Sequence, residues 1–286
     1  MTDYEDKYYV SQDGLQLYYR DYASDMSSSA VPVMCIPGLT RNSRDFERLA
    51  AALTPRHRVI CPDLRGRGRS EYDRDWRNYH PVQYALDIRI LLEHLRLDRS
   101  NLVGTSLGGI VSTLVARDEP RRVASVVLND IGPEINPTGL TRVVGSVGTL
   151  SRAATFEEAV ANTRANYEAA LPGWSEEDWR WYAETTYRKT DDGDFDLDYD
   201  REIGTAVRAG AAGIPGDPWE VFGALDDIPT LLLRGEHSDI MSANIAEKMK
   251  LRNSDLRIVP VSNRGHAPIL DEPEALNAIV ELLDNS

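Results

Sequence analysis

Cysteine is nearly absent from this chain. Two residues in 286 are too few for a disulfide framework, and they form no C-x-x-C pair of the kind that holds zinc. Cys35 and Cys61 each lie in or beside an apolar strand pattern, which reads as two buried free thiols in a reducing compartment. Long apolar runs are missing too: none approaches the ~20 residues of a membrane span. The acidic start lacks the basic and apolar regions of a signal peptide, so the expectation is a cytoplasmic protein with no membrane partner. Basic charge is scarce, with 32 Lys and Arg against 46 Asp and Glu and a formal net charge of -14. Phosphate binding needs clustered cations, so a nucleic-acid partner is excluded. Gly66-Arg67-Gly68 has neither Gly-x-Gly-x-x-Gly spacing nor a Lys-Ser/Thr ending, so no nucleotide loop is read there. No internal repeat or low-complexity tract is seen.

What is present is an ordinary globular composition, 42% hydrophobic and 27% charged, with ample chain for a buried core. Alternation at Lys7–Val10 and Gln16–Arg20 around Asp13-Gly14 predicts an opening antiparallel hairpin. Short apolar strands then alternate with amphipathic helices. The strands are Val31–Ile36, Val59–Cys61, Asn101–Val103, Val123–Asn129, Thr230–Arg234 and Leu256–Pro260. Helices are expected at Arg44–Leu53, Pro81–Leu95, Leu107–Asp118, Ala243–Leu251 and Pro273–Leu283. Runs such as Val123–Leu128 fit strands covered on both faces, so the fold class is α/β, with functional loops at the carboxyl ends of the strands. The alternation breaks between Glu134 and Asp217. Helical blocks at Thr155–Ala170 and Glu176–Thr186 precede an acidic segment at 191–196, and Pro133, Pro137, Pro215 and Pro218 punctuate the ends. This stretch reads as an α-helical insertion between two strands of the sheet.

Ser106 carries the chemistry. It sits in Gly104-Thr105-Ser106-Leu107-Gly108, after an apolar strand and before a helix, where flanking glycines allow a sharp turn that lifts the hydroxyl clear of the backbone. A serine hydroxyl needs a base, and the base needs an acid to fix its tautomer. Among five histidines, His266 in Arg264-Gly265-His266-Ala267-Pro268 follows the strand ending near Val261 and reaches the same face. Two carboxylates compete for the third role. Asp239, after Thr230–Leu233, gives the chain order Ser, Asp, His and is preferred; Asp130, after Val123–Asn129, is the alternative. An oxyanion needs two backbone donors: the N–H of Leu107, next to the nucleophile, and that of Leu39 in the Pro37-Gly38-Leu39-Thr40 loop.

These segments together resemble the α/β-hydrolase superfamily over nearly the whole chain. The resemblance rests on Pro37-Gly38, Asp63-Leu64-Arg65-Gly66-Arg67-Gly68-Arg69-Ser70, Gly104 to Gly109, Gly235 to Asp239 and Gly265 to Pro268. It implies a mostly parallel eight-stranded sheet flanked by helices, with a core of residues 1–133 and 218–286 and a helical cap of residues 134–217. In such proteins the Asp63–Ser70 segment is mostly a structural turn. Pro37-Gly38 departs from the His-Gly of many members.

Ser106 separates the chain from relatives with an aspartate nucleophile, and Ala267 stands where carbon–carbon hydrolases often carry Trp. The expected reaction is therefore hydrolysis of an apolar or aromatic carboxylic ester or lactone through an acyl-enzyme, with no metal or cofactor. Carbon–carbon hydrolysis of ring-fission products and a non-catalytic small-molecule receptor remain alternatives. In the cap, Trp174, Trp179, Trp181, Tyr182 and Tyr187 are candidates for an aromatic pocket, and would equally serve as the cap's own core.

Overall fold

Side chains alternate across a strand, so a strand buried on both faces must be apolar at every position. The computed structural model, which describes residues 3–23, 30–210, 213 and 216–286, shows this plainly. In β3 (Val33–Ile36), Val33 and Cys35 enter one core while Met34 and Ile36 enter the other. Before it run β1 (Glu5–Val10) and β2 (Gln16–Tyr22), the opening hairpin; after it come α1 (Glu47–Leu53), β4 (Val59–Pro62), α2 (Pro81–His94), β5 (Ser100–Thr105), α3 (Leu107–Asp118) and β6 (Val123–Asn129). The insertion then contributes α4 (Pro137–Ser146), α5 (Phe156–Tyr167), α6 (Glu176–Thr186), β7 (Tyr187–Lys189), β8 (Phe195–Leu197) and α7 (Glu202–Arg208). The chain ends with α8 (Pro218–Phe222), β9 (Thr230–Gly235), α9 (Ala243–Arg252), β10 (Arg257–Val261) and α10 (Pro273–Leu283).

Eight strands form one sheet in the order β1-β2-β4-β3-β5-β6-β9-β10. β2 is antiparallel to β1 and β4, and every other pairing is parallel. The expected mostly parallel sheet of eight strands is what forms. Helices α1 and α10 bury one face, with Leu49, Leu53, Ala275 and Ile279 against Cys35, Val103 and Leu231. Helices α2, α3 and α9 bury the other, with Ile88, Val111 and Met249 among the packed side chains. Cys35 and Cys61 are buried free thiols on the neighbouring strands β3 and β4. Among the described residues, no helix is long and apolar enough to cross a membrane.

The segment between β6 and β9 is mostly helical, as expected, but it also holds a hairpin that a purely helical reading misses. β7 and β8 pair antiparallel around the acidic turn at 191–194, where Gly193 has φ +94° and the Thr190 N–H donates to the Asp194 carbonyl at 2.7 Å. Pro215, expected to mark its end, lies outside the described residues. The insertion is tied to the sheet's carboxyl edge by polar contacts. Arg41 donates to the Thr185 and Thr186 hydroxyls, each at 2.6 Å, and the Gly265 N–H donates to the Ala170 carbonyl at 2.7 Å.

Beneath this edge lies a buried cation. Arg65, fully buried, pairs with Asp13, Asp73 and Asp87 at 2.8, 2.7 and 2.7 Å. Asp87 is itself fully buried, and burial raises its carboxyl above the ordinary value. Removing one partner of such a cluster strands the others without compensation. Arg65→Met should therefore cost about 3–5 kcal/mol, read as a fall in the urea midpoint; a midpoint unchanged from wild type would show that the cluster carries no net stability.

Candidate active site

Ser106 occupies a backbone conformation that L side chains rarely adopt, φ 52° and ψ −114°. Such strain persists only where the surroundings enforce it, and the glycines show how. A Cβ at Gly104 would come within 2.3 Å of the Gly108 carbonyl carbon, and one at Gly108 within 2.0 Å of the Ile36 carbonyl oxygen. Helix α3 can thus start directly after β5 and lie close on β3. The Ser106 N–H donates to the Asn129 carbonyl at 2.9 Å, which ties the turn to the end of β6.

Because β5, β6, β9 and β10 are consecutive and parallel, the segments that follow them emerge on one edge. His266, from the loop after β10, places Nε2 2.9 Å from Ser106 Oγ. Its Nδ1 lies 2.8 Å from Asp130 Oδ2. A carboxylate only accepts, so Nδ1–H donates to Asp130 and Nε2 is left to accept from the serine hydroxyl. Asn129 bridges the two loops: its Nδ2 donates to Thr105 Oγ1 at 3.0 Å and to the Pro268 carbonyl at 2.9 Å.

The carboxylate beside His266 is therefore Asp130 and not Asp239. Asp130 is fully buried, stands at φ +60°, and accepts from the Gly235 N–H at 2.8 Å and from Ser238 Oγ at 2.5 Å as well as from His266. The loop after β9 thus turns Ser238 toward the histidine. Asp239 points elsewhere, to a bidentate pair with Arg142 of α4 at 2.6 and 2.8 Å, and that guanidinium holds its carboxyl below the ordinary value. The sequence reading favoured Asp239, but its carboxylate is taken up by an ion pair between the β9 loop and the insertion. Ser238 was not among the expected site residues. Its place one residue before the favoured acid was the only signal for it.

Leu39, Ser106 and His266 border two joined compartments. One is the more polar, with Arg41, Asp45, Arg142, Asn166, Tyr167 and Tyr182. Arg41 lies 4.0 Å over the Tyr182 ring and pairs with Asp45 at 2.6 Å. The other compartment is apolar, lined by Leu107, Ile110, Ile131, Val143, Val144 and Val207 among others. Leu107 is the first residue of α3, so its N–H has no acceptor within the helix. Of the five aromatic candidates, only Tyr182 lines the polar cleft. Trp174, Trp179 and Trp181 pack with Tyr182 in a separate small core, Trp174 and Trp179 with ring centroids 4.9 Å apart. Tyr187 is buried in the main core and reaches the Ser151 carbonyl. The three tryptophans and Tyr182 thus form a small core within the insertion, while Tyr187 joins the core that the insertion shares with the sheet. Among the described residues, no group of three or more His, Cys, Asp or Glu side chains could hold a metal ion.

A family model described as the alpha/beta hydrolase fold matches residues 31–273. The chain belongs to the α/β hydrolase fold family. Among its relatives, this hydrolase is 32% identical over 252 residues to a 3-hydroxybutyrate-oligomer hydrolase of Cupriavidus necator, covering 84% of each chain. It is 32% identical over 250 residues to a 2-(acetamidomethylene)succinate hydrolase of Mesorhizobium japonicum, covering 86% of each. Among solved structures, an α/β hydrolase from Novosphingobium aromaticivorans is similar over 100% of both chains, with 42% identity and a TM-score of 0.93.

The hydrolase's tryptophan cluster separates packing from recognition. Trp179, 1% exposed, should behave as core: Trp179→Ala is expected to lose about 3–5 kcal/mol in thermal or urea unfolding. A Trp179→Ala protein with unchanged stability but altered substrate preference would return that ring to the pocket.

Proposed function

We propose that this hydrolase cleaves a carboxylic ester or lactone through an acyl-enzyme on Ser106. The single observation that carries the reading is the continuous hydrogen-bonded line from Ser106 through His266 to Asp130, opening into a cleft. His266 Nε2 takes the Ser106 proton as Oγ bonds to the substrate carbonyl carbon. The carbonyl π electrons move to oxygen, and the N–H groups of Leu39 and Leu107 receive the oxyanion. The C–O bond to the alcohol then breaks, and His266 returns the proton to that alcohol. Water attacks the acyl group by the same route and releases the acid. Asp130 holds the imidazole tautomer and stabilises its charged form throughout. In this reading residues 134–217 cap a core of 1–133 and 218–286.

The two compartments give the substrate an orientation. The acyl chain occupies the apolar side, under Val143, Val144 and Val207, and the polar cleft takes the alcohol portion. Kinship with a 3-hydroxybutyrate-oligomer hydrolase supports the ester reading, since hydroxy acids condense through ester bonds. Kinship with a 2-(acetamidomethylene)succinate hydrolase keeps a second reading on the same residues, hydrolysis of a bond other than an ester. A panel of p-nitrophenyl esters, lactones, enamides and ring-fission dienones on the purified protein separates the two.

The acid assignment is tested by two asparagine variants on one substrate. Asp130→Asn should lower kcat by about 10⁴-fold, the cost of a wrong imidazole tautomer, while Asp239→Asn stays within about tenfold of wild type, having lost only a partly exposed ion pair. Ser106→Ala should lose several orders of magnitude and all labelling by a fluorophosphonate probe. The reverse ranking of the two asparagine variants would return the role to Asp239.

Chain length tests the acyl side. Val144→Phe should lower kcat/KM for an octanoyl ester relative to the acetyl ester by about tenfold or more, since crowding an apolar pocket by even a methylene is worth about 1–3 kcal/mol. An unchanged ratio would place the acyl group elsewhere.

A further inference from the structure

Arg67 is a buried cation that the proposed chemistry leaves unused. Its side chain is fully buried, yet, unlike Arg65 two residues earlier, it has no carboxylate partner among the described residues. A buried charge normally demands one. Its guanidinium instead grips carbonyls and rings. Nε and Nη2 both donate to the Leu39 carbonyl, at 2.9 and 2.8 Å. Nη1 donates to the Arg65 carbonyl at 2.6 Å and to the Tyr84 hydroxyl at 2.9 Å. The guanidinium carbon also lies 4.6 Å from the centroid of the Tyr84 ring and 5.7 Å from that of Tyr79.

The carbonyl it grips belongs to the turn that supplies the first oxyanion donor. Gly38 to Arg41 closes a β-turn in which the Arg41 N–H donates to the Gly38 carbonyl at 3.2 Å. That bond orients the Gly38–Leu39 peptide from its carbonyl end, and the Arg67 fork orients the next peptide from the Leu39 carbonyl. Neither bond uses the Leu39 N–H, the one polar group of the turn that the oxyanion requires. The same arginine sits where the insertion docks. Arg67 bridges Tyr199 antiparallel, the Gly68 N–H donates to the Asp198 carbonyl, and the Asp200 N–H donates to the Gly66 carbonyl, at 2.9 and 2.8 Å.

We propose that Arg67 is a positioning residue for the oxyanion: it fixes the Leu39 turn so that its N–H is held ready, and sets an uncompensated positive charge behind the developing negative one. A preorganised donor costs no reorganisation at the moment of reaction. A fork of two N–H groups on one oxygen defines that oxygen more tightly than a single donor does. The proposal rests on the serine-hydrolase reading above.

The test uses the full-length chain and the variants Arg67→Gln and Arg67→Lys, with active sites counted by fluorophosphonate labelling. Kinetics on a p-nitrophenyl butyrate series are compared with inhibition by an alkyl trifluoromethyl ketone. Ser106 Oγ adds to the ketone carbon, the π electrons become an alkoxide at oxygen, and the serine proton passes to His266, so its affinity reports oxyanion binding directly. Arg67→Gln should lose about 10²-fold in kcat per active site, as loss of one oxyanion donor does. Its KM should stay within about threefold, and ketone affinity should fall in step with kcat/KM. Arg67→Lys, which keeps the charge but not the fork, should fall between.

A merely structural arginine would lower the number of labelled sites and the melting temperature while leaving kcat per site and ketone affinity intact; that result overturns the proposal. If Arg67→Gln does not fold, Tyr84→Phe removes one anchor of the guanidinium and leaves the charge in place. It should lower kcat and ketone affinity together by about threefold, and an unchanged kcat overturns the proposal equally. Failure of the underlying reading looks different: wild-type protein would then hydrolyse no ester and leave Ser106 unlabelled, and the Arg67 proposal falls with it.

Discussion

The Asp130 carboxylate draws together chain segments more than a hundred residues apart. It sits at the end of β6 and accepts from the Gly235 N–H, from Ser238 of the β9 loop and from His266 of the β10 loop. Parallel strands in consecutive order make this possible, because their carboxyl ends must share one edge. Without that acceptor the histidine loop would lose the bond that sets its ring orientation. The β9 loop would lose the contact that turns Ser238 inward. A fully buried carboxylate is tolerable only because it is saturated with donors, and the same saturation makes the arrangement rigid.

Asp239 shows how an insertion alters an edge it did not create. Its carboxylate would otherwise be one more anion beside the site. Arg142 of α4 removes it, and a Cβ at Gly139 would come within 2.2 Å of the Asp239 carbonyl oxygen, so the helix lies hard against that loop. The carboxylate that the sequence reading favoured has become an anchor for the insertion. Polar contacts of Arg41 and Asn42 with Thr185 and Thr186 secure the same segment at the end of α6. Between these anchors lie the two compartments, one polar and one apolar, that give a bound molecule unequal ends.

Buried arginines organise the other side of the site. Arg65 takes three carboxylates and holds the turn after β4, while Arg67, with none among the described residues, takes the Leu39 carbonyl. Their neighbour Asp63 accepts from the Ser43 and Arg69 N–H groups at 2.7 and 2.9 Å. The segment that the family resemblance gives as mostly a structural turn has a polar interior that reaches the Leu39 backbone near Ser106.

Local pattern was enough for much of this protein. Helix α3 and helix α10 begin and end where their periodicity and flanking residues say. The inner strands run largely apolar along their length as two-sided burial requires, and Gly104-Thr105-Ser106-Leu107-Gly108 announces a strained turn because only glycine fits at positions pressed so closely to neighbouring backbone. These features depend on residues adjacent in sequence. The choice between Asp130 and Asp239 does not: both follow parallel strands, and both could be written into the same chain order. Which one meets His266 depends on where Arg142, contributed by a distant helix, draws the competing charge, and on which way the loop after β9 turns. The same holds for the tryptophans, whose apolar rings suit a pocket or a core equally well until the folded insertion packs them against one another. Long-range ion pairs and the allocation of scarce core volume are properties of the folded chain, and no local pattern encodes them.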